Sequence, residues 1–219
     1  YELNGKTYKT PIKTLRGDYK DSNGETKNHL RLWEKSDFKP TVDDVFQERL
    51  YAIHWIKAET VDSPRQETFF TDVREDDIAR EKLVENIVRE NLEEWQALGL
   101  VPDMAIEHGY NTSQPIRERG WSHWHHLYTP RHLLINAILR KNIKIESEYF
   151  DILLCRILNV ESKLSRWSPA IGHDLALDVF YNMALNSFYN FGCRASISAF
   201  RDLYESPIAK NLDLKNARK

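Results

Sequence analysis

Cysteine is nearly missing from this chain: its 219 residues contain Cys155 and Cys193 and no other. Two thiols cannot build a disulfide framework or a four-thiolate zinc site. Both stand in apolar sequence, where a buried free thiol is the expected state. Glycine is sparse as well, with eight residues spread along the chain, so no glycine-rich loop is available to cradle a phosphate. No apolar run reaches about 18 residues, which argues against a membrane-spanning helix and for no membrane partner. No basic-then-apolar leader opens the sequence, and Tyr1 stands where an initiator Met would be. The expectation is a cytoplasmic piece of a longer protein. A nucleophile elbow is absent too, since no Ser near a His has the flanking glycines, and Cys155 falls inside an apolar helical pattern. Nothing in the sequence assembles a complete active site.

What is present fits one sizeable domain or two small ones, because 41% apolar residues over this length can bury a core without crosslinks. The net charge of −2 hides an asymmetry: residues 1–109 hold 16 Lys/Arg against 23 Asp/Glu, and residues 110–219 hold 15 against 10. The first half is therefore at −7 and the second at +5. An anionic partner is better suited by the second half, although +5 alone does not predict nucleic-acid binding.

Periodicity gives an α+β order, with N-terminal antiparallel strands and hairpins followed by a mainly helical C-terminal half. Residues 1–109 form the strand-rich part with one long helix, and residues 110–219 the helical part with basic and aromatic loops. Asn4–Gly5 predicts a two-residue hairpin turn, and Asp21–Ser22–Asn23–Gly24 predicts a turn between further strands, the second spanning His29 to Trp33. Strands are also predicted over Leu50–Lys57 and Thr68–Thr71. Ile78, Leu83, Ile87, Leu92 and Trp95 recur at helical spacing from Glu75 to Leu98, and Gly99 supplies the stop. Its acidic outer face reads most simply as solvated. Val101 to Gly120 reads as loop. Thr129–Pro130 is an N-cap followed by proline at the first helical position, opening a helix that ends near Asn142. Helices are expected over Ser147–Leu158 and Leu175–Tyr189, with a basic aromatic loop at Lys163–Pro169 between them and a frayed tail over Asn211–Lys219.

The densest feature is Gly120 to Leu134, which crowds two Trp, one Tyr, four His and one Arg into fifteen residues. Polar aromatics are costly to leave in water and costly to bury unsatisfied, so such a block marks a packed interface, a metal site or a nucleic-acid surface. His123 and His125 stand two apart, a spacing that puts both rings on one side of a strand. However, no Cys, Asp or Glu from Gly120 to Arg140 completes a ligand set, and no metal is assigned. For nucleic acid, Arg117, Arg119, Arg131, Lys163, Arg166 and Arg194 can neutralise phosphates. Trp121, Trp124 and Trp167 offer faces for an unstacked base, with His123, His125 and His126 beside them. The plainer alternative is that the tryptophans belong to the core.

These residues also carry a family resemblance. Leu15–Asp18, Leu30–Glu34, Asp44–Tyr51, Arg119–His126, Thr129–Arg131 and Lys163–Trp167 occur in order and resemble a central region of large adenine-specific DNA methylases. Those proteins carry a zinc-ribbon module and are often encoded beside anti-phage defence genes. The resemblance spans about residues 15–192. It implies a parent enzyme that moves a methyl group from S-adenosylmethionine to the exocyclic nitrogen of adenine, with the target base flipped from the duplex. This chain holds neither the glycine-bearing cofactor turn, nor a Pro–Pro–Tyr loop, nor a Cys-x-x-Cys pair. The expectation is therefore a non-catalytic region with no cofactor of its own and no structural zinc.

Two functions follow as expectations. The first is a DNA-contacting or target-recognition insertion, whose tryptophans and arginines form the reading surface. The second is a structural or protein-interaction module that docks the remainder of the methylase or another defence component through the acidic helix and the aromatic block. A free-standing metal hydrolase built on the histidines ranks below both.

Overall fold

Asn4 and Gly5 take φ of +51° and +73°, the left-handed values a two-residue hairpin turn needs. They join β1 (Glu2–Leu3) to β2 (Lys6–Thr7). This hairpin opens a computed structural model that describes residues 2–63, 66–142, 148–167 and 176–177. A short helix that the sequence did not announce, α1 (Ile12–Arg16), ends on Gly17. The pair β3 (Tyr19–Lys20) and β4 (Thr26–Lys27) follows. The turn between them is held by the Asp21 carboxylate, which accepts the N–H groups of Asn23 and Glu25 at 2.9 Å.

The strand predicted over His29–Trp33 does not form. Its alternation is real, for Trp33 is buried while Leu32 is exposed, but the backbone pairs with a loop: Trp33 N–H donates to the Gly120 carbonyl at 2.8 Å. Farther on, β5 (Ile53–Ile56) and β6 (Thr68–Thr71) make an antiparallel hairpin in which Trp55 faces Phe69 and His54 faces Phe70.

Helix α2 (Glu75–Ala97) begins where Asp77 Oδ2 accepts the Arg74 N–H at 3.1 Å, and the chain turns away through Gly99 at φ +68°. Within 101–120, predicted as loop, Ser113–Arg119 forms a helix, α3. Pro115 lies in its first turn, where a missing N–H costs nothing, so the proline that read as a breaker is compatible with the helix start. Gly120 ends α3 at φ +75°. A single 3₁₀ turn over Trp124–Leu127 leads into α4 (Pro130–Asn142), whose first turn is capped by Thr129 Oγ1 accepting the His132 N–H at 3.4 Å.

Helix α5 (Glu148–Glu161) runs past the expected end at Leu158. Its buried stripe is Ile157 and Val160, which turns Cys155 to the other side. Cys155 is a free but exposed thiol, contrary to the buried one expected. Arg166–Trp167, predicted as loop, is strand β7, paired with Ala176–Leu177, β8. That pairing corrects the start of the helix predicted from Leu175. The remainder of that helix, Cys193, Arg194 and the tail from Asn211 lie outside the described residues.

Short antiparallel pairs in the N-terminal part, with helices mostly in the C-terminal half, make this an α+β fold. Helix α2 lies against α4, and Val88, Leu92, Val101, Leu133 and Ala137 close around Phe38. Each buried Val or Leu among them stabilises the fold by about 1.5–3 kcal/mol. A second cluster gathers Trp33, Ile106, Trp121, Leu127 and Leu164, with Trp124 and Tyr128 packed on its edge. The aromatic block of the sequence lies there.

Candidate functional site

The segment from Gly120 to Leu127 forms one wall of a clamp, and residues 31–38 form the other. His126 is fully buried. Its Nε2–H donates to the Glu34 carbonyl at 3.0 Å, while Nδ1 accepts the N–H groups of Ser122 and His123 at 3.1 and 3.2 Å. His125, equally buried, donates from Nε2 to the Asp37 carbonyl at 3.0 Å, and its Nδ1 lies 3.5 Å from the Gln96 amide nitrogen of α2. The rings therefore act as neutral connectors between two loops, with both nitrogens engaged. Desolvation is the first cause that pushes their pKa down, to about 4 for His125 and about 2 for His126. His132, buried at the start of α4, is likewise pushed down to about 4, mainly by burial.

Ser122 Oγ lies 2.9 Å from His123 Nδ1, a spacing that invites comparison with a nucleophile and its base. The hydroxyl proton, however, goes to the Trp33 carbonyl. With its one donor spent on that carbonyl, Ser122 fastens the clamp, and His123 has no proton to take from it. His123 is half-buried, and burial lowers its pKa. Among the described residues no group of three or more His, Cys, Asp or Glu is placed to hold a metal ion.

The tryptophans complete the clamp. Trp33 and Trp121 meet edge to face at 71° with centroids 6.2 Å apart, and His126 lies 5.1 Å from Trp33. Between them runs the Lys163 side chain, wholly enclosed, with Nζ 5.3 Å from the Trp33 ring and 5.0 Å from the Trp121 ring. Glu48 Oε1 pairs with that ammonium at 2.6 Å. A buried cation needs such a counter-charge and such faces to offset its desolvation. Trp121, His125, His126 and Lys163, read from the sequence as surface for DNA, are thus core residues. The reason is that their polar atoms find partners inside.

The other expected contact residues divide. Trp124 is half-buried against the same cluster. Arg119 is half-buried, its guanidinium 4.4 Å over the Phe46 ring and its NH1 donating to the Glu118 carbonyl at 2.7 Å. Burial lowers its pKa. Arg131 is exposed and ion-paired to Glu81 of α2. Arg117 is exposed and 3.3 Å from Glu118. Arg166 and Trp167 sit on β7, away in sequence from the block, and Arg194 lies outside the described residues. Among the described side chains, Arg117, Arg119 and Arg131 are thus engaged with Glu118, Phe46 and Glu81.

Several participants escaped the sequence reading. Glu48 meets Lys163, Phe46 meets Arg119, and Gln96 and the carbonyls of Glu34 and Asp37 meet the histidines across large separations in the chain, and no local pattern announces such contacts. Arg31 also belongs here: its guanidinium takes Asp44 bidentately at 2.8 and 2.9 Å and Asp37 at 2.5 Å, which pins the loop that carries Glu48. Three exposed aromatic residues stand together elsewhere, on the hairpin β5–β6, where Trp55, Phe69 and Phe70 are 43%, 44% and 55% open to solvent. No helix among the described residues is long and apolar enough to cross a membrane. Comparison with family models, with curated proteins and with solved structures gives no match, so the functional reading rests on this geometry.

Proposed function

We propose that this chain is a structural and protein-interaction module. The observation that carries this reading is the internal use of the block: four of the residues best suited to meet DNA, Trp121, His125, His126 and Lys163, are 2% exposed or less. A side chain enclosed in this way cannot stack on a base or neutralise a phosphate without opening the core. Arg131 and Arg119 are meanwhile engaged with Glu81 and Phe46. Large apolar side chains remain exposed over the N-terminal part, among them Tyr51, Trp55, Phe69 and Phe70, and exposed apolar groups in company mark protein contacts. The resemblance to adenine-specific DNA methylases names the partners: the remainder of such an enzyme, which would hold S-adenosylmethionine and the catalytic loop, or a companion defence protein.

The competing reading, a DNA-contacting insertion, draws on the +5 charge of residues 110–219 and on exposed Arg117. Titration of the chain with a labelled duplex, and with the same strand unpaired, across a salt series separates the two. The interaction module gives no binding at low salt. Binding in the micromolar range that falls steeply with salt, and that Arg117→Ala with Arg131→Ala weakens, would overturn it.

A further inference from the structure

We propose that one face of the β5–β6 hairpin docks a basic protein segment, whose arginine or lysine side chains lie over Trp55 and Phe69. This rests on the interaction-module reading and names the partner's chemistry.

The face follows from the register. Lys57 N–H donates to the Glu67 carbonyl at 2.9 Å, and the pairs Trp55/Phe69 and Ile53/Thr71 lie two and four residues along. Side chains two apart on a strand share a face. Ile53, Trp55, Phe69 and Thr71 are therefore together, next to the ion pair of Lys57 with Glu67 at 2.6 Å. Trp55 Nε1 donates to Thr71 Oγ1 at 2.9 Å, which fixes the indole against the hairpin. The opposite face has its own arrangement, His54 stacked on Phe70 at 4.3 Å and 9°.

Two further observations point to an absent partner and to its charge. Among the described residues the sheet has these two strands and no third, and a two-stranded hairpin is marginal in water until a face is covered. Residues 57–77 also carry seven Asp/Glu against three Lys/Arg, with Glu59, Asp62, Glu67 and Asp72 exposed. Such surroundings repel phosphates and repel the same region of a second copy. They attract cations, and a guanidinium or ammonium is also the group that an exposed aromatic face binds.

The test is calorimetric titration of the whole chain with a blocked peptide of about eight residues that alternates arginine and valine, beside its glutamate counterpart and a DNA duplex. The arginine peptide binds saturably and the other two do not. Trp55→Ser combined with Phe69→Ser weakens binding about tenfold without lowering the thermal midpoint. Glu59→Gln combined with Asp72→Asn, which leaves the aromatic face intact, weakens it as well and flattens its salt dependence. Undiminished binding in the serine variant, or equal binding of the glutamate peptide, overturns the hairpin assignment and leaves the interaction module standing. Tight, salt-sensitive binding of the duplex overturns both.

Discussion

Trp33 and Trp121 are 5% and 2% exposed, whereas Trp55 and Phe69, facing each other across β5–β6, are 43% and 44% exposed. Trp121 stands in the most polar aromatic stretch of the sequence, yet it is inside, packed with Trp33. Its neighbours explain this. His125 and His126 reach the carbonyls of Asp37 and Glu34, and Lys163 meets Glu48, so these polar groups are satisfied inside. The hairpin pair has the indole bond to Thr71 and, among the described residues, no third strand beside it. What decides burial is the supply of internal partners, and a dense run of polar aromatics is as well suited to a core fastening as to an interface.

The contrast can be broken most severely at Gly120. Its φ is +75°, and a Cβ there would overlap the Arg31 carbonyl oxygen, with backbone on both sides of the clash. Gly120→Ala is expected to cost more than about 3 kcal/mol and to abolish cooperative unfolding, as read by circular dichroism. Trp33→Ala, which removes the ring from Trp121, His126 and Lys163, is expected to cost about 3–5 kcal/mol in denaturant titration.

Acid attacks the same region. Above about pH 6.5, the usual histidine value, folded and unfolded chains both hold His125, His126 and His132 neutral. Below it the unfolded chain takes up protons that the fold refuses, until the folded values of about 4 for His125 and His132 and about 2 for His126 are reached. Stability therefore falls as pH drops through that window, by about 1.4 kcal/mol per pH unit for each ring. Urea midpoints between pH 7 and 4.5 measure it, and a flat profile would mean that the rings titrate in the fold. The smallest effect is expected on the hairpin, where Trp55→Ser changes global stability by about 0.5 kcal/mol or less while weakening partner binding.

Elements whose signals are local were legible. Asn4–Gly5, Gly99 and Thr129–Pro130 each impose a backbone conformation on their own neighbourhood, and the hairpin, α2 and α4 lie where they point. Helix α3 was hidden because Pro115 signals equally a break and a first turn. The strand read at His29–Trp33 failed because alternation reports which side is buried and not which backbone pairs with it. Cys155 was misplaced by counting apolar neighbours without asking which stripe of α5 faces inward. The candidate site was legible as a location and not as a role. Nothing near His126 in sequence tells that the Glu34 carbonyl, 92 positions away, will accept a hydrogen bond from its ring.

Oxidative footprinting of the whole chain in solution, read residue by residue by mass spectrometry, tests the central claim most directly. The account predicts rapid modification of Trp55 and Phe69 and protection of Trp33 and Trp121 as long as the fold is intact. Modification of Trp121 as fast as Trp55, at a pH where the chain is folded, would contradict it and return the aromatic block to the surface.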